Sequence, residues 1–198
     1  MSKRKHEETA VSTKKPKTSG HWAKGLLQTM KDPEFVVNSD DSVTIIRDAY
    51  PKAEFHYLVL PMEDISSLKA VKKEHLSLLE HMEAVANDLI REDKHKHKDF
   101  KLGYHAEASM LRLHLHVISD DMNSACLKTK KHWNSFNTAF FINSTDVVQS
   151  LKQNGRVVLP GREQCKKFME QQLQCHKCDY KPKNMPDLKG HILKHLRK

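Results

Sequence analysis

The chain has 198 residues, which suits one medium-sized domain and a smaller unit. No apolar run approaches the roughly 20 residues that a membrane span needs, and the first 20 residues lack the apolar core of a secretory signal. The composition therefore predicts a soluble, intracellular protein with no membrane partner.

The net charge of +9 is concentrated at the two ends of the chain. Residues 1–20 carry +4 and residues 162–198 carry +6, whereas the residues between them carry −1. Clusters of Lys and Arg neutralise phosphates and release counterions, so this distribution indicates a nucleic acid partner. The alternative is that lysine-rich ends only keep the protein soluble.

The first 19 residues contain almost nothing apolar and are predicted to form a disordered basic arm. The basic clusters "KRK" at 3–5 and "KKPK" at 14–17 are typical of a nuclear import signal, which predicts a nuclear location.

In the first half of the remaining chain, short strands lie between two helices. The predicted elements are a helix at "GLLQTM" (25–30), two strands around a polar turn at 38–42, a strand at "FHYLVLP" (55–61) and a long helix at 72–92. The charged stretch "DKHKHKD" that follows is predicted to be a loop.

The second half continues with mixed elements. The predictions are strands at "FKLGYHAE" (100–107) and "MLRLHLHVIS" (110–119), a helix at 145–155 stopped by Gly155, an edge strand at "RVVLPG" (156–161) and a helix at 163–173. Strands paired as hairpins with helices inserted predict an α+β domain with an antiparallel sheet over residues 20–161.

The strand at 110–119 has a chemical face and an apolar face. Side chains alternate along a strand, so Arg112, His114 and His116 share one side, and the leucines between them face the core. The alternative is the exposed polar face of an ordinary sheet. His95 and His97 are also two apart, but lysines flank them, so that pair is predicted to lie in a solvated loop.

The segment "RLHLHVIS" (112–119) resembles the signature of the histidine-triad superfamily of nucleotide hydrolases and transferases. The segments "PKAEFHYLVLP", "SSLKAV", "LGYHA" and "CLKTKKHWNSFNT" are similar to the aprataxin family within it, and the resemblance runs from about Gly20 to the C-terminus. It implies a histidine-triad fold with flanking helices and a C-terminal zinc finger.

The resemblance also implies an activity, the removal of AMP from 5′-adenylated DNA ends left by abortive ligation, in single-strand break repair. His114 matches the nucleophile that forms a covalent AMP-histidine, and His116 matches a group that hydrogen-bonds a phosphate oxygen. His105 matches the residue that protonates the leaving DNA phosphate. No catalytic metal is expected, and AMP is the expected product.

Further positions match secondary members of the family's nucleotide site. By this resemblance Asp48 binds the ribose hydroxyls, Leu26 and Ile46 form an apolar adenine pocket, Ser109 and Lys131 contact phosphate, and His56 lies near the site. For each of these residues a plain packing role is the alternative.

Arg112 departs from the family pattern, which has a third histidine at this position. The arginine could donate to a phosphate oxygen and lower the pKa of His114 through its positive charge. Alternatively, its larger side chain could misplace His114 and weaken catalysis. We favour retained activity, because the other matched residues are present.

The C-terminal residues 162–198 are predicted to form a helix followed by a small ββα-like zinc finger. "CHKC" at 175–178 is followed by His191 and His195, with two, twelve and three intervening residues, which is the spacing of a closed Cys₂His₂ site for one structural zinc ion. The basic residues expected to contact DNA phosphates are Lys181, Lys183, Lys189, Lys194 and Arg197. The alternative is a finger that only staples the domain.

Three functions follow from these patterns. The first is an aprataxin-like DNA-adenylate hydrolase acting on nicked or broken DNA. The second is a hydrolase of small nucleotides such as AMP phosphoramidates, and the third is a DNA-binding repair protein whose catalysis is weakened by Arg112. Vertebrate members begin with a phosphopeptide-binding domain to which this resemblance does not extend, so scaffold partners of that domain are not implied.

Overall fold

The computed structural model describes residues 25–196. The predicted arm with its basic clusters and Arg197 lie outside the described residues. The helices are α1 (Gly25–Thr29), α2 (Leu76–Ile90), α3 (Lys130–Asn137), α4 (Ser144–Asn154), α5 (Arg162–Glu170) and α6 (Met185–Leu196). The strands are β1 (Val36–Ser39), β2 (Val43–Arg47), β3 (His56–Pro61), β4 (Phe100–His105), β5 (Leu115–Ser119) and β6 (Phe141–Asn143).

The six strands form one antiparallel sheet in the order β1-β2-β3-β5-β4-β6. Strand β5 therefore lies in the middle of the sheet, between β3 and β4. In this register His116 is opposite Leu58 on β3 and Gly103 on β4, and His105 is opposite Phe141 on β6. The predicted α+β class with an antiparallel sheet is confirmed.

One face of the sheet packs against α2 and α4. Val59, Leu115 and Val117 from the central strands are fully buried in this core. They meet the apolar stripe of α2, whose buried members include Leu79 and Met82. Alternation along β5 thus puts its leucine and valine into the main core and leaves His116 on the opposite face.

The opposite face packs against α1, α3 and the C-terminal segment. At the β2–β3 side, Leu26 of α1 packs with Ile46 and Leu58. At the other side, Ile118 belongs to an apolar cluster that also contains Trp133 and Phe136 of α3 and Leu188 and Ile192 of α6. The predicted boundary between residues 161 and 162 remains a prediction, and this cluster extends across it.

The secondary structure predicted from the sequence differs from the structure in four stretches. Strand β5 begins at Leu115, five residues later than predicted, because the chain before it bends through Arg112 with φ of 109°. Leu111 is consequently exposed instead of facing the core. The predicted edge strand at 156–161 is absent from the described residues apart from one isolated bridge between Arg156 and Lys72. Helix α3 and strand β6 were not predicted.

His95 is buried, which corrects the prediction that it lies in a solvated loop. Its Nδ1–H donates to the Leu89 carbonyl at 2.8 Å, and its Nε2 lies 3.0 Å from the Tyr57 hydroxyl. The ring thus caps the C-terminal end of α2 and packs edge-on against Phe55 and Phe100. His97 is exposed, as predicted.

Within residues 25–196, no helix has the length and apolar character needed to cross a membrane.

Candidate functional site

A cavity of about 680 Å³ opens on the sheet face that carries His116. Its walls come from β3, β4, β5 and α3, and from the segments that precede β3 and β5. The predicted site residues that line it are Asp48, His56, His105, Ser109, His114, His116 and Lys131.

Four histidines of this cavity, His56, His105, His114 and His116, form a group in which His116 contacts each of the other three, and they are called here the cavity histidines. The His116 ring lies at the centre, with ring centroids 4.4 Å from His105, 4.8 Å from His114 and 5.2 Å from His56. Three neighbouring strands supply three of these rings, and His114 immediately precedes β5. Strand pairing therefore fixes their relative positions.

Hydrogen bonding determines which nitrogen of His114 carries the proton. The Nδ1 atom lies 2.8 Å from the backbone carbonyl oxygen of Arg112, and a carbonyl can only accept. Neutral His114 must then be protonated on Nδ1, which leaves the lone pair on Nε2 free. A free imidazole nitrogen held in this way is a nucleophile.

A second hydrogen-bonded path determines the protonation of His116. The backbone N–H of Lys52, which can only donate, lies 3.2 Å from His56 Nδ1, closer than the Asp48 carboxylate oxygen at 3.4 Å, so we assign the proton of neutral His56 to Nε2. That Nε2–H donates to His116 Nδ1 at 3.0 Å. His116 is therefore protonated on Nε2, a buried atom without a partner among the described residues. It is a donor ready for a ligand oxygen.

Burial keeps the cavity histidines neutral. It lowers the pKa of His56 from 6.5 to about 4, against the opposing attraction of Asp48. Burial, followed by the His114 charge, lowers the pKa of His105 to about 3. Burial likewise lowers the pKa of His114 and lowers that of His116 well below its usual value. All four rings are thus uncharged imidazoles near pH 7.

Phe136 of α3 holds the histidine rings from the helix side. Its ring meets those of His56, His105 and His116 edge-on, at centroid distances of 5.4, 4.7 and 5.2 Å. Gly103 makes room on the sheet side, because a Cβ there would lie 2.6 Å from Phe141 Cε1. A side chain at position 103 would push Phe141 away from His105.

The rim of the cavity is rich in lysine. Lys52, Lys128 and Lys131 line it together with the acids Asp48 and Glu107. Helix α3, which presents Lys131, begins where the Thr129 hydroxyl accepts the His132 N–H at 3.1 Å. Neutral nucleophiles at the base and cations at the rim suit an anionic substrate such as a phosphate ester.

Arg112 does not line this cavity, which corrects its predicted position on the same strand face as His114, although both residues line a smaller neighbouring cavity. Its guanidinium is buried and donates from Nη2 to the carbonyls of Pro61 and Met62, at 2.7 and 2.9 Å. The strand alternation behind the prediction fails because residues 109–114 are not strand and Arg112 has positive φ.

Leu26 and Ile46 lie outside the cavity lining, and their predicted contact with an adenine base stays a prediction. Strand pairing places Ile46 opposite Leu58, and α1 covers both, so the three side chains form a closed apolar cluster. The half-buried Met110 packs on this cluster and lines the cavity itself.

Cys175, Cys178, His191 and His195 converge as the sequence predicted. Cys178 Sγ lies 3.1 Å from His191 Nε2 and 3.5 Å from His195 Nε2, and the two imidazole nitrogens are 3.1 Å apart. Tetrahedral zinc with its usual bond lengths puts such atoms about 3.4–3.6 Å apart. The four residues thus fit one structural zinc ion.

The finger, residues 171–196, has the predicted helix but no strand. A turn closed by the Cys175 N–H and the Tyr180 carbonyl at 2.9 Å stands where a hairpin was expected. Asn184 caps α6 by accepting the Asp187 N–H at 3.0 Å. Pro186 lies in the first helical turn, where the missing N–H costs nothing.

The finger is bonded to the body of the protein. The Trp133 indole donates to the Gln174 carbonyl at 3.0 Å, and His176 Nε2–H donates to the Asp120 carbonyl at 2.8 Å. Lys189, one of the predicted DNA contacts, donates to the Ser124 carbonyl at 2.6 Å. The other predicted contacts within the described residues, Lys181, Lys183 and Lys194, are exposed.

Asp48, His56 and His116 form a second group whose ligand atoms lie within 4.8 Å of one another. Both His56 nitrogens already have protein partners, so this group is organised by its own hydrogen bonds.

Several residues that line the cavity were not identified from the sequence. They include Tyr50, Lys52, Lys128, Ser135 and Phe136. The run "KTKK" (128–131) was a visible signal of a cationic edge. Nothing local marked Phe136, whose role follows from the position of α3 across the sheet.

Two family models match the chain. The family described as scavenger mRNA decapping enzyme C-terminal binding matches residues 21–132, which is more than half of the chain. The C2HE / C2H2 / C2HC zinc-binding finger matches residues 137–198. The second match includes all four candidate zinc ligands.

The chain is also similar to named proteins. It is 47% identical to aprataxin of Danio rerio over 183 residues, which cover 92% of this chain and 56% of that protein. It is 34% identical to an aprataxin-like protein of Saccharomyces cerevisiae, covering 68% of this chain and 78% of that protein. A solved structure of Hnt3 in complex with DNA and guanosine superimposes with a TM-score of 0.68 at 25% identity, covering 87% of this chain and 94% of that one.

The chain spans about half to three-fifths of the length of the animal aprataxins that it matches. The sequence identity over the shared part, the match of the zinc-binding finger and the similarity in fold to Hnt3 agree with one family. The chain belongs to the aprataxin family.

Proposed function

We propose that this protein is a hydrolase that removes AMP from 5′-adenylated DNA ends through a covalent AMP-histidine on His114. The observation that carries the proposal is the 2.8 Å hydrogen bond from His114 Nδ1–H to the Arg112 carbonyl, which frees Nε2 for attack. The buried, uncharged state of the ring adds to its nucleophilicity near pH 7.

In the first step, His114 Nε2 attacks the α-phosphorus of the adenylate. The new N–P bond forms while the bond from phosphorus to the DNA 5′-phosphate oxygen breaks, and the DNA phosphate leaves with that electron pair. His114 becomes a cationic adenylyl-imidazolium, whose Nδ1–H stays on the Arg112 carbonyl. The predicted protonation of the departing phosphate by His105 stays a prediction; its Nε2 is buried without a partner among the described residues, and burial keeps the ring uncharged near pH 7.

In the second step, water attacks the same phosphorus and the N–P bond breaks. AMP leaves, His114 regains its lone pair, and the proton of the water passes to solvent. In both steps negative charge builds on the non-bridging phosphate oxygens, and the unpartnered Nε2–H of His116 is available to stabilise it. Splitting the displacement into two steps lowers each barrier.

The positive charge around the cavity and the similarity to a DNA-bound relative support DNA as the substrate. Lys52, Lys128 and Lys131 surround the cavity mouth, and exposed lysines of the finger extend the positive surface. The solved relative named for its complex with DNA and guanosine shares nearly its whole chain with this fold. Shape and phosphate contacts, not base edges, are expected to guide binding.

The biological setting belongs to the same proposal. An enzyme that clears adenylates from 5′ ends restores a substrate for ligation, so it acts in single-strand break repair. The basic clusters at 3–5 and 14–17 support a nuclear location.

The test is release of AMP from a nicked duplex carrying a 5′-adenylate. We expect turnover by the natural chain and a loss of at least about a thousandfold in His114→Ala. The exposed His97→Ala serves as the matched histidine control and is expected to keep full activity. Absence of turnover by the natural chain would contradict the proposal. Faster turnover of an AMP phosphoramidate than of adenylated DNA would favour the small-nucleotide hydrolase instead.

A further inference from the structure

Arg112 has a backbone conformation that side chains disfavour. Its φ of 109° belongs to the region where glycine is normally found. Such a residue persists only when its surroundings hold it, and held strain clusters at functional sites. Arg112 immediately precedes the segment that carries His114, so the chain bends sharply just before the proposed nucleophile.

Hydrogen bonds from the backbone hold this bend. The Arg112 N–H donates to the Ser66 carbonyl at 2.9 Å, and the Leu113 N–H donates to the Ile65 carbonyl at 2.7 Å. The bend is thereby tied to the segment that follows β3. The Arg112 carbonyl is left pointing at His114 Nδ1.

The guanidinium of Arg112 also binds the segment 61–66, in addition to the backbone hydrogen bonds. Besides the carbonyls of Pro61 and Met62, Nη2 lies 3.4 Å from the Glu63 carbonyl, and Nη1 lies 3.4 Å from a carboxylate oxygen of Asp64. A guanidinium offers five donors in one plane, whereas a neutral imidazole offers one. A histidine here could not bridge this row of acceptors.

We infer that Arg112 is a positioning residue, which fixes the Nδ1–H tautomer and the orientation of His114 by clamping its own carbonyl against residues 61–66. The role of His114 as nucleophile rests on the proposed function, but the tautomer does not. The guanidinium of Arg112 faces protein carbonyls and the Asp64 carboxylate, and it does not line the main cavity.

The first measurement is the tautomer, read from ¹⁵N spectra of histidine-labelled protein without any substrate. We expect the natural chain to show His114 protonated on Nδ1 alone, and Arg112→Met to show a mixture of tautomers. Arg112→Lys, which keeps the charge and one or two of the donors, is expected to fall between them and guards against poor folding of the methionine variant. Arg91→Met, which removes an exposed arginine paired with Asp88, is the control and should match the natural chain.

The second measurement is turnover of 5′-adenylated nicked DNA by the same variants. We expect Arg112→Met to lower kcat by about 10- to 100-fold, the range expected for a displaced reacting group, while KM changes less than about twofold. Arg112 also lines a smaller cavity of about 440 Å³, together with Lys69, Arg162 and two residues that line the main cavity as well, His105 and His114. A large rise in KM with unchanged kcat would mean that Arg112 binds substrate there, and it would overturn the inference.

Two further results would overturn it. One is a pure Nδ1–H tautomer of His114 in both Arg112 variants. The other is an Arg112→His variant that is more active than the natural chain, since that would show the arginine to be a defect. If the natural chain does not turn over adenylated DNA at all, the proposed function fails, and the tautomer measurement still decides the role of Arg112.

Discussion

The four cavity histidines and the two zinc-ligand histidines of the finger, His191 and His195, differ in what surrounds them. His56, His114 and His116 are buried and have hydrogen bonds that fix their tautomers, whereas His105 is half-buried and packs against His116 and Phe136. His191 and His195 are only partly buried, lie four residues apart on α6 and face two thiols. The same side chain thus becomes a set of neutral nucleophiles and donors in one region and a ligand pair in the other. Neighbours and burial decide between these roles, and spacing alone does not.

Removing zinc should affect the finger most strongly and reach the body through the shared cluster. Cys175, Leu188 and Ile192 share an apolar cluster with Trp133 and Phe136, so loss of the metal should loosen the helix side of the cavity. We expect Cys178→Ser to lower the melting temperature by about 10 °C, the size expected for losing several kcal/mol in a chain of this length.

Cys126→Ser is the matched control, because Cys126 is a half-buried thiol outside the zinc ligands. Calorimetry with measured zinc content should show one zinc ion in the control and none in Cys178→Ser. Equal melting temperatures in both variants would contradict the structural role of the metal.

Lowering the pH should reduce the free energy of unfolding, because the cavity histidines are held uncharged in the folded protein. The folded-state pKa of His56 is about 4, below its usual 6.5, so its contribution to stability is present above about pH 6.5 and is lost as pH falls toward 4. Each such ring removes about 1.4 kcal/mol of unfolding free energy per pH unit in that window. The slope of unfolding free energy against pH should therefore be smaller in His56→Gln than in the natural chain, by about 1.4 kcal/mol per pH unit.

Urea unfolding between pH 5 and 6.5 in excess zinc measures this difference. Titration of the finger ligands occurs in both proteins and cancels, and the exposed His97→Gln should follow the slope of the natural chain. Parallel slopes for the natural chain and His56→Gln would mean that His56 is not held neutral by burial.

Substituting a lysine at the rim of the cavity should have the smallest effect of these changes, a modest loss of DNA affinity. Lys131 lines the cavity mouth, whereas Lys152 pairs with Glu80 on the opposite side of the sheet. We expect Lys131→Met to weaken DNA binding by less than about tenfold and to reduce the slope of log affinity against log salt by about 0.9. Lys152→Met is expected to leave both unchanged. A salt slope unchanged in Lys131→Met would remove this lysine from the DNA contact surface.

Local patterns in the sequence predicted much of this fold and site. The β1–β2 hairpin, helix α2 and the Cys₂His₂ spacing are signalled by neighbouring residues, and the structure confirms each. The alternation of His114 and His116 with core residues also holds. The resemblance to the family supplied the remaining positions, of which Asp48 and Lys131 do reach the cavity.

What the sequence missed depends on distant contacts. The direction of Arg112 is set by carbonyls about fifty residues earlier in the chain, and no spacing rule contains them. The burial of His95 depends on Tyr57 and Phe55, and lysines on either side concealed it. Phe136 reaches three histidines only because α3 crosses the sheet.

The most direct test of the central claim is to trap the covalent intermediate. The natural chain would be mixed with 5′-adenylated DNA, quenched within its first turnover under alkaline denaturing conditions that preserve N–P bonds, and digested for mass spectrometry. We predict one AMP moiety on the peptide that contains His114, and none in His114→Ala. An AMP moiety on Lys131 or on another histidine, or turnover without any adduct, would contradict it.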